Sequence, residues 1–190
     1  MAHLTTEELD AGLDHIRAAP ADDGTVVLIV RRPAVGEREV LDVAELSLVE
    51  GVVGDTWQHR GSRQTEDGGP HPDMQLNLIN ARAIAQISPD PERRALAGDQ
   101  LHLDLDLSAD NLPPGTRLAL GTAVIEVTAQ PHNGCAKFSE RFGMDAVRWV
   151  NSPEGKRLHL RGINAKVVQP GAVRPGDTVT KLPPATTGAP

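Results

Sequence analysis

The chain's only cysteine, Cys135, lies in the stretch His132-Asn133-Gly134-Cys135-Ala136-Lys137-Phe138. A strand ends near Thr128 just before it. A helix is predicted just after it, with Phe138 and Phe142 on one face and Gly143 as its stop. This places Cys135 at a strand-to-helix junction. Free amide groups at a helix start, the Lys137 ammonium and a nearby His132 all favour a thiolate over a thiol. A thiolate so placed can bind a soft metal, accept a sulfur atom or attack an electrophile. A buried cysteine that merely fills space is the competing reading, at comparable odds on local sequence alone.

Two further segments carry groups with chemical capacity. The first is Gly54-Asp55-Thr56-Trp57-Gln58-His59-Arg60-Gly61, followed by His71 and Asp73. Its aspartates and histidines could orient a ligand or bind a divalent metal, although a solvated turn is the more common use of such a cluster. The second is Gly98-Asp99-Gln100-Leu101, where Asp99 is either a turn residue or faces a ligand from the mouth of a strand. The aromatics fall in two places only: Trp57 in the first loop, and Phe138, Phe142 and Trp149 after the cysteine. The latter three are expected to anchor helices, and Trp57 to line a pocket. Arg60, Arg63, Arg141 and Arg148 flank these segments and could meet phosphate or carboxylate groups.

The elements that must hold these residues read mostly as strands. Thr5 and Glu8 form a capping box, and Leu9, Leu13 and Ile16 then recur at helical spacing, so residues 5–18 are expected to form one amphipathic helix. Val26 to Val30 is a β-branched run typical of a buried strand. Residues 39–48 read as a strand and its return, and 74–79 as a half-buried strand. Asn80 caps a helix over 81–87 that Ser88-Pro89 ends. Leu101, Leu103, Leu105 and Leu107 alternate with polar residues, the clearest strand pattern in the chain, with His102 turned away from the leucines. Residues 117–120 and 123–128 form a hairpin around Gly121-Thr122, and late strands are expected at 166–168 and 178–180. The polar stretch 51–72 has little periodicity and is read as a functional loop. Runs of strands without long crossover helices predict an antiparallel barrel or sandwich, mainly β with a few short helices. The division is a helical extension over 1–20, a barrel domain over 21–182, and a disordered tail over 183–190.

Composition narrows the function. The chain has 190 residues and a formal net charge of −7, without a Lys/Arg run, which argues against a general nucleic-acid binder. No apolar stretch is long enough for a membrane helix, and the first twenty residues are unlike a secretory signal, so a cytoplasmic location is the expectation. A single cysteine excludes an internal disulfide and a multi-thiolate zinc site.

The order and spacing of several motifs resemble the MOSC-domain family, named for the C-terminal domain of molybdenum cofactor sulfurases. The resemblance runs from about Val26 to Lys181. It rests on Gly51-Val52-Val53-Gly54-Asp55, the strand Gln75–Asn80, Gly98-Asp99-Gln100-Leu101, and Leu112 to Gly121. Ala123 to Thr128, the Cys135 segment, and Val167 to Val179 complete the set. It implies a β-barrel related to the pyruvate-kinase barrel fold, built around the cysteine as a sulfur carrier or molybdenum ligand. On it, Asp55, Trp57, His59, Arg60, Asp99, Gln100, His132 and Lys137 are expected to shape a cofactor site beside Cys135. The implied cofactor is the molybdenum cofactor, molybdopterin. The family's link to pyridoxal phosphate runs through a separate transferase domain, so the resemblance gives no ground for that cofactor here. Trp57 stands where relatives often have a histidine, and Gly98-Asp99-Gln100-Leu101 replaces a Gly-Glu-Asn-Leu type stretch.

Three functions follow as expectations. The leading one is cofactor binding with Cys135 as ligand or persulfide carrier, with a sulfur-donor protein as a possible partner. The second is a thiol- or molybdenum-dependent reductase that detoxifies N-hydroxylated compounds. The third is a non-catalytic binding module, with an ordinary and dispensable thiol.

Overall fold

The computed structural model describes residues 3–183. In chain order the strands are β1 (Gly24–Arg31), β2 (Glu39–Val40), β3 (Ala44–Ser47), β4 (Gly51–Val52), β5 (Leu76–Asn80), β6 (Leu101–Asp104), β7 (Arg117–Leu120), β8 (Ala123–Val127), β9 (Ile163–Gln169), β10 (Gly171–Val173) and β11 (Thr178–Lys181). The helices are α1 (Thr6–Asp10), α2 (Leu13–Arg17), α3 (Ala81–Ile87), α4 (Pro91–Arg94), α5 (Ala136–Phe142), α6 (Met144–Val150) and α7 (Pro153–Arg157).

Seven strands close on themselves in the order β1-β11-β7-β8-β9-β5-β6 and back to β1. Closure leaves no open sheet edge within this ring. β2 extends β1 at the rim, and β10, β3 and β4 form a small separate sheet. The expected barrel is therefore present, but it is mixed rather than wholly antiparallel: β5 and β6 run parallel, Leu78 opposite Leu101. A parallel pair needs a crossover, and α3 and α4 supply it.

The barrel interior is aliphatic. Val26, Leu78, Leu101, Leu118, Ile125 and Val167 belong to one buried cluster. A second cluster, with Leu9, Ile84, Phe138, Phe142 and Trp149, fills the space between the barrel wall and the helices. The aromatics after the cysteine thus anchor helices, as expected. Burying one such side chain contributes about 1.5–3 kcal/mol.

Two local expectations change. The single helix over 5–18 is two short ones, α1 and α2, broken near Gly12. A side chain at Gly12 would run into Gln86 of α3, so the glycine permits a close approach there at the cost of helix continuity. The strand from Leu101 pairs only to Asp104, although Leu105 and Leu107 still reach the core. His102 points away from that core but is 1% exposed, because protein covers the outer face of β6 as well. The other elements stand close to their expected places, including the Thr5 capping box and the Asn80 cap. The tail beyond Pro183 lies outside the described residues.

Candidate functional site

β8 leads into a loop that two asparagines clamp. Asn164 of β9 donates to the Gln130 carbonyl at 3.1 Å, and its own carbonyl accepts from the Thr128 amide at 2.9 Å. Asn151 accepts from the Gly134 amide at 3.0 Å and donates to the Gly134 carbonyl at 3.1 Å. The loop delivers Cys135 as the N-cap of α5, in extended conformation and exposed. α5 has seven residues, so the charge around the thiol must come mainly from side chains.

Those side chains line a cleft of about 680 Å³ that Cys135 shares with Arg32, Arg38, Arg60, His132, Lys137, Glu140, Arg141 and Arg161. Two of the arginines are already neutralised. Arg32, 3% exposed, donates to Asp55 through its backbone amide at 2.9 Å, Nε at 2.8 Å and Nη2 at 2.7 Å. Its Nη1 reaches Asn77 at 2.8 Å, and Asn77 donates in turn to Asn164 at 2.6 Å. Arg161 donates from Nη1 to both oxygens of Asp99 at 2.8 Å and lies 4.7 Å from the Phe138 ring centroid. Buried pairs of this kind fix geometry, because neither partner can be left alone in a dry environment.

Arg38, Arg60, Lys137 and Arg141 are different. None has a carboxylate within ion-pair distance among the described residues. Arg60 reaches only the Thr56 hydroxyl, and Arg141 only the Leu96 carbonyl. The Arg38 Nε is buried without any partner. Protein packed around Arg60, with Arg32 close by, pushes its guanidinium down to about 10. Burial, Arg141 and Arg32 push Arg38 down in the same way. The cleft thus gathers several cations around one carboxylate, Glu140, which makes it chemically suited to a negatively charged group.

His132 sits in the wall of this cleft, with Nδ1 buried and 3.4 Å from Asp99 Oδ1, long for a hydrogen bond. Burial, Arg161 and Arg32 hold it well below the ordinary histidine range, so the ring is neutral at pH 7. Burial pushes the Asp99 carboxyl up, against the pull of Arg161.

Of the residues singled out in the sequence, Cys135, Arg60, His132 and Lys137 meet in the cleft. Asp55 and Asp99 stand behind it as counter-ions to Arg32 and Arg161. Trp57 is buried with its indole N–H unpartnered, and does not line the cleft; His59 is exposed outside it. Gln100 bridges strands instead, accepting from the Asn77 amide at 2.8 Å. Arg141 lines the cleft, whereas Arg63 does not and Arg148 pairs with Asp145. Sequence reasoning passed over Arg32, Arg38, Asn77 and Arg161. The one available signal was a charge at the end of an apolar strand, at Arg32. Among the described residues no grouping of three or more His, Cys, Asp or Glu side chains could hold a metal ion.

Beyond its fold, the sequence itself matches a known family. The model of the MOSC domain matches residues 71–180. The chain belongs to the MOSC-domain family. The match covers β5 to β11 together with the Cys135 loop. Solved MOSC-like structures agree in fold. YuaD from Bacillus subtilis superposes with a TM-score of 0.63 at 16% identity, covering 82% of this chain and 93% of that one. YiiM from Escherichia coli superposes with a TM-score of 0.53 at 20% identity, covering 84% of this chain and 70% of that one. At such identities the likeness concerns the fold alone. No curated protein gives a significant sequence match. No helix among the described residues is long and apolar enough to cross a membrane.

Proposed function

We propose that this MOSC domain binds an anionic cofactor of the molybdenum-cofactor class in the arginine-lined cleft, with Cys135 as thiolate ligand to its metal or as carrier of a transferable sulfur. The observation that supports this reading is the exposed Cys135 sharing one cleft with Arg38, Arg60, Lys137 and Arg141, four cations without carboxylate partners. The donor set suits the group: guanidiniums match phosphate, and a thiolate matches a soft metal.

In this reading Arg38, Arg60 and Arg141 hold the cofactor's phosphate. Asp55 and Asp99 keep Arg32 and Arg161 from swinging, so the walls stay fixed. The neutral His132 can hold or accept a proton beside the site. Bound, the cofactor supplies the redox-active metal. As a carrier, the Cys135 thiolate would attack the outer sulfur of a persulfide on a donor protein, breaking the donor's S–S bond, so that Cys135 becomes the persulfide and the donor leaves as its thiolate.

The test combines metal, pterin phosphate and cyanide-labile sulfur analysis on the wild type, Cys135→Ser and Arg60→Ala. The wild type is expected to take up the cofactor and sulfur. Cys135→Ser loses sulfur and weakens metal retention but keeps anion binding. Arg60→Ala binds the anion at least about tenfold more weakly, the scale of one lost charge-assisted contact. If wild type and variants alike take up no molybdenum, cofactor or sulfur, the reading fails.

A further inference from the structure

A second cavity, of about 410 Å³, lies on the other side of the His132 loop. Its walls are chiefly apolar: Leu112, Val127, Val150 and Ile163, with Pro114 and Pro131. No aspartate or glutamate lines it. Its charged members are Lys156, which is exposed, and Arg161, whose charge Asp99 already balances. His132 lines it as a neutral ring, and the His159 ring nitrogen is engaged at 2.7 Å by the Leu107 carbonyl. The contrast with the cationic cleft is sharp, yet the two cavities share His132 and Arg161 as common wall.

Two buried polar atoms in that wall have no partner: His132 Nδ1 and Arg161 Nε. Arg161 is 7% exposed, and both atoms are closed off from the open space of either cavity. Desolvated donors of this kind cost free energy unless something satisfies them. The loop that forms the partition is clamped by Asn151 and Asn164, so the cavity does not depend on a mobile lid.

We propose that this cavity is a second small-molecule site, taking an uncharged, largely apolar molecule of one or two fused rings. The lining excludes a strongly charged ligand, and the volume lies near the lower end for small-molecule pockets. The shared wall brings the occupant beside the cleft that Cys135 borders. The site does not depend on what fills the cationic cleft.

Quinoline, neutral at pH 7, is the probe. Binding is followed by ligand-observed NMR and by the imidazole signal of His132 in the whole protein. Naphthalene-2-sulfonate serves as an anionic probe of similar size. Quinoline is expected to bind, to move the His132 signal, and to bind at least about tenfold more tightly than the sulfonate does at this wall. Ala129 and Ala109 line the cavity and are exposed, so large residues there fill it at little risk to folding. Ala129→Trp and, independently, Ala109→Trp should each weaken quinoline by about tenfold while leaving inorganic phosphate binding to the arginine cleft unchanged. Arg60→Ala should do the reverse, which separates failure of this site from failure of the cofactor site. The proposal is overturned if quinoline does not bind, if neither alanine variant weakens it, or if the His132 signal stays still on binding.

Discussion

Asp55 and Asp99 illustrate how a site residue can act without touching a ligand. Each is fully or almost fully buried and spends its oxygens on an arginine. Removing either carboxylate strands a guanidinium in a dry wall, so Asp55→Ala or Asp99→Ala should cost about 3–5 kcal/mol of stability in urea unfolding. A loss below about 1 kcal/mol would show that water reaches Arg32 or Arg161 and that the wall is not rigid. His102 makes a separate prediction. Burial pushes its ring down to about 4, against a weaker upward pull from the Asp99 backbone, and its Nε2 has no partner. The folded state therefore keeps His102 neutral where the unfolded chain, near 6.5, binds a proton. The unfolded state holds more protons between those values, so stability rises with pH there. The His102 contribution is present above about 6.5 and is lost as the pH falls toward 4, a span of roughly 3 kcal/mol. His102→Gln should flatten that slope in unfolding curves taken across pH 4 to 7; an unchanged slope would assign the acid sensitivity to other groups.

Gly162 governs how β9 enters the barrel. Its φ is +105°, and a side chain there would lie 2.1 Å from the Leu78 carbonyl of β5 and 3.3 Å from His132 Nδ1. Gly162→Ala should cost about 3 kcal/mol or more, through strain and a broken β5–β9 start, and should also displace the His132 ring. Circular dichroism melts and the His132 NMR signal report the two effects; a near-native melt would mean the backbone relaxes freely at this corner. Gly162 also shows what a sequence hides. The β7–β8 hairpin was legible because Gly121-Thr122 and alternation act locally. The Cys135 junction was legible for the same reason. The parallel β5–β6 pair was not, because pairing partners are chosen by tertiary closure. Nor were the partners of Asp55 and Asp99, at Arg32 and Arg161, which the barrel brings together from distant strands. The side His102 takes was legible from alternation, whereas its burial was not, because alternation reports which face a residue takes and not whether that face is wet.

Among the described residues there are two hydrophobic clusters, and the cationic cleft lies on their seam. The His132 loop is tied to the barrel through Asn164, while Lys137 and Arg141 lie on α5, which Cys135 caps, in the helical layer. Phe138 and Phe142 pack at 4.9 Å between centroids and, with Trp149, hold that layer. Phe142 is 3% exposed, so Phe142→Ala should cost about 3–5 kcal/mol. The loss should not fall evenly. Native-state hydrogen exchange is expected to show α1, α5 and α6 opening at lower denaturant than β8 and β9, because the barrel's strands close a ring without using the second cluster. On the proposed function, phosphate would hold Arg141 of the helical layer to Arg38 and Arg60 of the barrel loops, and adding it should return protection to α5 and do little for β8. If every amide in the variant exchanges through one global opening, the two clusters fold as a unit, and ligand binding cannot act on the helical layer separately.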